Sequence, residues 1–243
     1  MSDNRLRNTI LCTLMFAKGK IICLVILEAL ITLLMISSKS VISEANLFIS
    51  RDIPIMIFMF TFGMSFYNKH TPFCIANAVS FKYRIVSICI VAGGIIIIAG
   101  AYDSISTSLI IGNPPALPIA EFIRYYVHNT PMSAQPLVFI TSETILFYMS
   151  IFSTGYFVGA IRYIKGDNFA LGIMAVMTVL FVGSVILTSF TAINPIALVI
   201  GVIPAIMLQS RITGVLFYAA LTFVIFFFSC RIDLSKKRTR TEE

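Results

Sequence analysis

Residues 85–101 read IVSICIVAGGIIIIAGA, a stretch without a single charged side chain. A helix that crosses the hydrocarbon core of a bilayer needs about 20 predominantly apolar residues, with a lower limit near 17. An uncharged apolar stretch of this length predicts a transmembrane helix rather than the core helix of a soluble domain. If the rest of the chain repeats this pattern, the whole protein belongs to the membrane class.

The composition indicates that apolar stretches recur along the whole chain. Of the 243 residues, 58% are hydrophobic and 12% are charged, whereas an ordinary soluble domain is about 25% charged. A water-soluble protein of this length could not bury so much apolar surface in one core. The 21 Phe and 9 Tyr exclude a disordered chain. The predicted fold class is therefore an all-α polytopic membrane protein.

The apolar stretches predict six transmembrane helices in one domain that covers residues 1–243. A shorter apolar run contains Pro195 and Pro204, and we interpret residues 194–210 as a re-entrant segment before the last helix. Leu6, Ile10 and Leu14 recur at helical spacing before the first span, which predicts an N-terminal interfacial helix; an N-terminal extension of that span is the alternative. The six predicted spans are residues 21–37, 47–67, 85–101, 137–161, 171–190 and 212–230.

The basic residues predict the orientation of these spans. Six crossings place both termini on one side, together with 14 of the 18 Lys and Arg. Positive charge favours the cytoplasmic side, so both termini are predicted to be cytoplasmic. A seventh crossing would move the basic segment 231–240 to the other side and remove the asymmetry. The net charge of +7 is thus explained by basic side chains at the cytoplasmic edge of the lipid membrane, where they set the orientation of the chain. No nucleic-acid partner is expected.

Two segments between the spans are longer than a simple turn. The outer loop, residues 102–136, carries five of the nine prolines, and it either contains a short surface helix over residues 121–128 or is a plain connection. In the cytoplasmic loop, residues 68–84, Thr71 and Pro72 resemble a helix start. Phe73 and Ile75 then offer an apolar face. This pattern predicts a short helix displayed on the cytoplasmic surface.

The residues needed for catalysis are missing. The two histidines, His70 and His128, fall on opposite sides of the predicted membrane, and the five cysteines form no CxxC pair. Neither a metal site nor a catalytic Ser–His pair is predicted. The chain also has no GxxxxGK[ST] motif with which to bind ATP. We therefore expect no catalytic residue and no directly bound cofactor.

Four residues inside the predicted spans are candidates for special roles. Glu28 and Glu143 form a possible intramembrane polar site, because charges within a bilayer are costly and are functional candidates by default. A structural role for Glu28 and solvation of Glu143 near the outer interface remain open alternatives. Gly155 and Gly159 form a GxxxG pattern, which predicts a face for close packing against another helix.

The arrangement as a whole resembles the permease subunits of ABC-2-type transporters, the membrane halves of bacterial ATP-driven exporters. The resemblance covers nearly the whole chain: six spans, an N-terminal interfacial helix, a helix-bearing loop after span two and a re-entrant segment before span six. The family often shows an Asn-Gly-x-Ser-Arg-Lys stretch in that loop. Residues 77–82 read NAVSFK, which keeps the Asn, Ser and Lys but departs at Ala78 and Phe81.

The resemblance implies that the loop is a coupling helix that contacts a separate ABC-type ATPase subunit, which would hold ATP and Mg. It also implies a second permease chain, identical or related, in a bacterial cell membrane. The apolar composition and the absence of a large outer domain suit a peptide or antibiotic as the exported substrate. The residues implied in the ATPase contact are Lys69, Phe73, Ile75, Asn77, Ser80, Phe81, Lys82 and Arg84.

Two other classes of function compete with this interpretation. A stand-alone secondary transporter should show inverted repeats and broken helices with polar sites at the midplane, and we see no convincing repeat. An intramembrane enzyme needs acid–base or metal-binding groups that converge in the bilayer, and the sequence does not supply them. The permease subunit is the preferred hypothesis, and the secondary transporter is the alternative.

Overall fold

The computed structural model describes residues 2–38, 44–111, 137–169, 171–176, 216 and 218–229. Within these ranges the secondary structure is helical and contains no strand. Two shorter helices follow the four long ones. The long helices are α1 (Ser2–Ser38), α2 (Glu44–Ala76), α3 (Phe81–Ile111) and α4 (Leu137–Lys165); the shorter ones are α5 (Asp167–Val176) and α6 (Tyr218–Ser229).

Three stretches of the described helices are long and apolar enough to cross a membrane: Asn4–Leu34, Phe81–Ser106 and Thr144–Lys165. The helical fold expected from the sequence is thus observed in the described residues, and three stretches have the length and apolarity that a membrane span requires. The count of six spans also depends on residues outside the described part. The re-entrant segment 194–210, the candidate helix 121–128 and most of span five lie there.

Helix α1 differs from its prediction. In place of an interfacial helix followed by a separate span, residues 2–38 form one continuous helix. The hydroxyl groups of Thr9 and Thr13 donate to the carbonyl oxygens of Arg5 and Thr9, at 2.8 and 2.7 Å, within the helical ladder. No proline or capping turn interrupts the segment, so extending the existing helix costs less than ending it and nucleating another. The alternative of an N-terminal extension is the one observed.

Helix α3 also extends further than expected. The outer loop was predicted to begin at residue 102, but α3 continues to Ile111. The residues beyond position 101 include Asp103, Ser104 and Ser106, whose side chains form hydrogen bonds within the folded chain instead of ending the helix. Ser104, for example, donates to the Gly100 carbonyl oxygen at 2.8 Å. Residues 112–136 of the predicted loop lie outside the described part.

The packing of α2 against α4 depends on glycines, as the GxxxG pattern predicted. A methyl group added at Gly155 would lie 2.8 Å from the carbonyl carbon of Phe60 in α2, closer than real Cβ contacts. One added at Gly159 would lie 2.9 Å from the Met64 carbonyl oxygen, and Gly63 of α2 meets the α4 backbone in the same way. The two backbones approach closely because these residues lack side chains.

Aromatic side chains fill the space beside the glycines. Phe62 of α2 lies 5.2 Å from Phe152 of α4 between ring centroids, and Tyr67 lies 4.8 Å from Tyr156 in an edge-to-face arrangement. Such pairs contribute about 0.5–1.5 kcal/mol beyond the area that they bury. Helix α3 completes the bundle by packing against both α1 and α4. Gly100 of α3 allows this approach, because a methyl group there would lie 2.7 Å from Ile145.

Candidate functional site

The four-residue turn 77–80, which we call the hairpin turn, joins α2 to α3, and both helices pack on α4 rather than on each other. The predicted loop, residues 68–84, spans this turn. The short helix predicted to begin at Thr71 and Pro72 is not present; instead, α2 continues through Pro72 and ends at Ala76. Thr71 is fully buried, and its hydroxyl lies 3.4 Å from that of Tyr156 in α4. Tertiary packing against α4 thus holds this turn in a helix that the local sequence signal would have ended.

The hairpin turn, residues 77–80, has a defined geometry. The Ala78 N–H donates to the Ile75 carbonyl oxygen at 3.1 Å, and the Val79 N–H donates to that of Cys74 at 2.9 Å. This is the Schellman pattern of a helix C-terminus, and it requires a left-handed residue at Ala78, whose φ is 53°. The resemblance marked this position as a departure, because the family commonly has Gly there. The turn is therefore built, at some conformational cost, with alanine.

Two other residues of the motif act as caps in this turn. The Asn77 side-chain amide donates to the Phe73 carbonyl oxygen at 2.8 Å. Ser80 precedes α3 as its N-cap: its carbonyl oxygen accepts from the Arg84 N–H at 3.1 Å, and its hydroxyl lies 3.5 Å from the Tyr83 N–H. Both side chains are exposed. Their observed role is to shape the turn between the helices.

The predicted contact residues separate into an exposed set and a buried one. Phe73, Ile75 and Phe81 expose 38%, 43% and 36% of their surface. We call these exposed residues beside the turn the hairpin surface; it consists of Lys69, Phe73, Ile75, Phe81 and Lys82.

Arg84 does not belong to the hairpin surface. It was expected to contribute a charge to the exposed rim, but it is only 5% exposed. Its guanidinium carbon lies 5.3 Å from the centroid of the Phe81 ring, a cation–π arrangement. The first turn of α3 directs this side chain back into the bundle. Arg84 therefore lies inside the bundle beneath the Phe81 ring.

A polar cluster around His70 lies directly behind the hairpin surface. His70 is 1% exposed, and its Nε2 lies 2.8 Å from the hydroxyl oxygen of Thr13 in α1. Cys74, one turn further along α2, has its Sγ 3.3 Å from the same nitrogen. Burial, assisted by the charge of Arg84, lowers the pKa of His70 to about 4. Burial likewise raises the pKa of the Cys74 thiol to about 11. Both groups are therefore neutral at pH 7.

Aromatic contacts connect this cluster to the hairpin surface. Phe16 of α1 meets Phe73 edge-to-face at a centroid distance of 5.1 Å, and it lies 6.2 Å from the His70 ring. The His70 ring stacks on Phe66 at 5.0 Å. Phe73 thus belongs both to the exposed surface and to the contact between α1 and α2. A shift of α1 at this end would therefore change the position of Phe73 in the hairpin surface.

The structure describes the side chain of only one of the two predicted intramembrane acids, Glu28 and Glu143. Glu28 is 7% exposed within α1, and its carbonyl oxygen accepts a 2.7 Å hydrogen bond from the Thr32 hydroxyl. It is thus buried by protein, as a helix-interface polar group would be. Glu143 lies on α4, and its side chain is outside the described residues. A common site formed by these two acids stays a prediction.

The sequence reading missed Asp103, which is 4% exposed on α3. The Tyr148 hydroxyl of α4 donates to its Oδ2 at 3.0 Å. Next to it, the Tyr102 hydroxyl lies 3.2 Å from that of Thr32 in α1. Asp103 falls in the predicted outer loop, because the apolar stretch ends at residue 101. The signal that could have placed it inside is the apolar run that resumes at Leu109 and carries the helix onward.

The described residues contain no group of three or more His, Cys, Asp or Glu side chains that could hold a metal ion. In the same part of the chain, Cys12, Cys23, Cys74 and Cys89 are free thiols. The feature that the geometry brings together is an exposed apolar and basic surface at the turn between α2 and α3, with a buried polar cluster behind it. Comparison with protein-family models, with curated proteins and with solved structures gives no match.

Proposed function

We propose that the protein is the membrane-spanning permease subunit of an ATP-driven exporter, which moves a hydrophobic or amphipathic substrate by means of a separate ATPase subunit. The observation that carries the proposal is the hairpin surface. Three large apolar side chains are exposed there between Lys69 and Lys82, next to the turn that joins α2 to α3. Protein interfaces generally draw most of their binding energy from a few buried anchor residues, which a polar rim surrounds.

The lysines favour a contact with protein over a contact with lipid tails. A charged ammonium group stays hydrated, so Lys69 and Lys82 keep the neighbouring apolar groups at the edge of the apolar layer. A partner suited to the hairpin surface would offer an apolar groove with acidic residues at its rim. An ATPase subunit with such a groove would supply the ATP-binding motif that this chain lacks, and would hold ATP and Mg.

The geometry of the hairpin turn supports a role in transmitting movement. The Schellman turn and the Ser80 cap fix the ends of α2 and α3 relative to each other. Helix α2 is in turn packed backbone to backbone on α4 through Gly63, Gly155 and Gly159. A push on the hairpin surface would therefore move closely packed helices rather than a loose loop. In an exporter, such a push would come from closure of the ATPase.

The remaining parts of the proposal come from the resemblance: a second permease chain, a bacterial cell membrane and a peptide or antibiotic as substrate. Affinity purification in mild detergent tests the central part. We expect an ATPase with a P-loop to be recovered in stoichiometric amount. If the chain purifies alone and still moves a solute down a proton or sodium gradient, the proposal is wrong.

Substitutions in the hairpin surface sharpen this test. The double variant Ile75→Asp, Phe81→Asp should reduce recovery of the ATPase more than about tenfold, because a contact worth 1.4 kcal/mol changes affinity by that factor. Phe169→Asp is the matched control, since Phe169 is an exposed aromatic residue outside the surface, with 52% of its area accessible. Equal recovery from the double variant and the wild type would remove the hairpin surface from the interface.

A secondary transporter is the second candidate, and one observation favours it. Asp103 and Glu28 are acids buried in membrane-spanning helices, and such groups commonly mark proton or ion pathways. Gradient-driven uptake into proteoliposomes separates the two functions. A secondary transporter should lose uptake when Asp103 is replaced by Asn, whereas an ATP-dependent exporter should show no gradient-driven uptake even in the wild type.

A further inference from the structure

The buried hydrogen bond between His70 and Thr13 joins α1 to α2 just behind the hairpin surface. Thr13 donates its only hydroxyl proton to the Thr9 carbonyl oxygen at 2.7 Å. The 2.8 Å contact with His70 must then use the Thr13 oxygen as acceptor and the His70 Nε2–H as donor. This arrangement defines the tautomer of His70 and requires nothing of Nδ1. The bond is therefore complete with a neutral ring.

The surroundings oppose a positive charge on this ring. The Arg84 guanidinium on α3 acts against it, and Phe66 covers one ring face at 5.0 Å. The other titratable groups near the ring are Cys74 on α2 and, beside that thiol, Cys12 on α1. On α4, the Tyr156 hydroxyl lies 3.4 Å from that of Thr71, the residue that follows His70. No carboxylate faces His70 in this part of the chain to balance a proton.

We propose that the His70–Thr13 hydrogen bond is an acid-labile clamp, which holds the N-terminal half of α1 against α2 at neutral pH and opens when His70 takes up a proton. In the open form the imidazolium reaches water, and Phe16 separates from Phe73. Cys74, which is 2% exposed in the closed form, then becomes accessible. Because Phe73 is part of the hairpin surface, the clamp would regulate docking; that consequence rests on the proposed function, whereas the opening itself does not.

The structure gives the size of the effect. A solvated histidine has a pKa near 6.5, and the buried ring has a pKa of about 4. The open form therefore binds a proton at pH 5 while the closed form does not, and the equilibrium shifts toward opening as pH falls between these two values. Between pH 7.5 and pH 5 the ratio of open to closed forms should rise about 30-fold.

The reactivity of Cys74 measures this ratio without any partner. A variant that keeps Cys74 and replaces the other four cysteines by Ala is purified in detergent and treated with 4,4′-dithiodipyridine, which reacts with thiols at acid pH. The rate at each pH is divided by the rate for the same protein unfolded in dodecyl sulfate. We expect this normalised rate to rise about 30-fold from pH 7.5 to pH 5.

His70→Gln in the same background is the control, because the glutamine amide can donate to Thr13 but does not titrate. Its normalised rate should stay within about threefold over this range. If it rises as in the parent, or if Cys74 of the parent stays protected at pH 5, the clamp is refuted. Thr13→Val gives an independent check: without the acceptor, Cys74 should already react faster at pH 7.5. Since no ATPase is present, failure of this test leaves the docking proposal standing, and the reverse also holds.

Discussion

The close approach of α2 and α4 makes one substitution especially informative, Gly155→Ala. The added methyl group would lie 2.8 Å from the carbonyl carbon of Phe60 and 3.1 Å from its Cα. These are backbone atoms of α2, so no side-chain rotation can relieve the contact. The helices must separate by about 1 Å, and overpacking of this kind typically costs 1–3 kcal/mol. The flanking aromatic pairs would also lose a quarter to a half of their dispersion energy at such a gap.

Gly94→Ala is the matched control, because a methyl group at Gly94 meets nothing within 4 Å. Both substitutions gain the same helix propensity of about 1 kcal/mol, so the comparison removes that term. The difference in stability between the two variants is then about 1–3 kcal/mol, or about 2–12 °C in melting temperature for a chain of this size. Gly159→Ala should fall between them, because its nearest contact is 2.9 Å.

The assay is thermal unfolding in detergent, followed by the helical circular dichroism signal, since the sequence contains no Trp for intrinsic fluorescence. Size-exclusion chromatography before each scan establishes that the variants are monodisperse. If Gly155→Ala melts within about 1 °C of Gly94→Ala, the two backbones are not in contact at this point. The reasoning would also be refuted if Gly155→Ala were the more stable variant.

Three further predictions concern the hairpin turn and the buried polar groups. Ala78→Gly should stabilise the protein by about 1 kcal/mol, because glycine adopts the positive φ of the turn without a Cβ penalty; an unchanged or lower melting temperature would contradict this. The wild type should lose about 2 kcal/mol of stability from pH 7.5 to pH 5, because unfolded His70 binds a proton that the folded protein excludes, and His70→Gln should remove that contribution to the melting profile. Tyr148→Phe should cost about 1.5–3 kcal/mol by removing the donor to Asp103, and it should cost clearly less in an Asp103→Asn background; equal costs in a double-mutant cycle would show that the hydrogen bond does not matter.

Much of the helical organisation could be read from local sequence. The uncharged run at residues 85–101 lies within α3, and the GxxxG pair does form a close-packing face. The break between α2 and α3 also falls inside the segment predicted as a loop. These features depend on apolar length and on small residues at helical spacing, which are properties of neighbours along the chain. They could be recognised without knowing which helix packs against which.

The exact ends of the helices were harder to predict, for a physical reason. Thr71 and Pro72 carry the local signal of a helix start, yet α2 runs through them. A proline in a helix removes one hydrogen bond, and burial of Thr71 against α4 offsets that loss. Asp103 reads as a loop residue, but it lies in a helix because Tyr148 satisfies it. In both cases the deciding partner lies on α4, more than forty residues away.

By itself, the sequence determined that this is a helical membrane protein with a basic, apolar segment between two of its helices. Composition and the length of the apolar runs are enough for that, because an apolar stretch of about 20 residues can cross a bilayer as a helix that satisfies its own backbone hydrogen bonds. Only the tertiary structure decided which side chains of that segment face outward. It leaves Phe73, Ile75 and Phe81 exposed, buries Arg84, and pairs His70 with Thr13 across 57 positions of the chain. Helical periodicity places residues on a face, but which face is covered depends on the docking of α1 and α4.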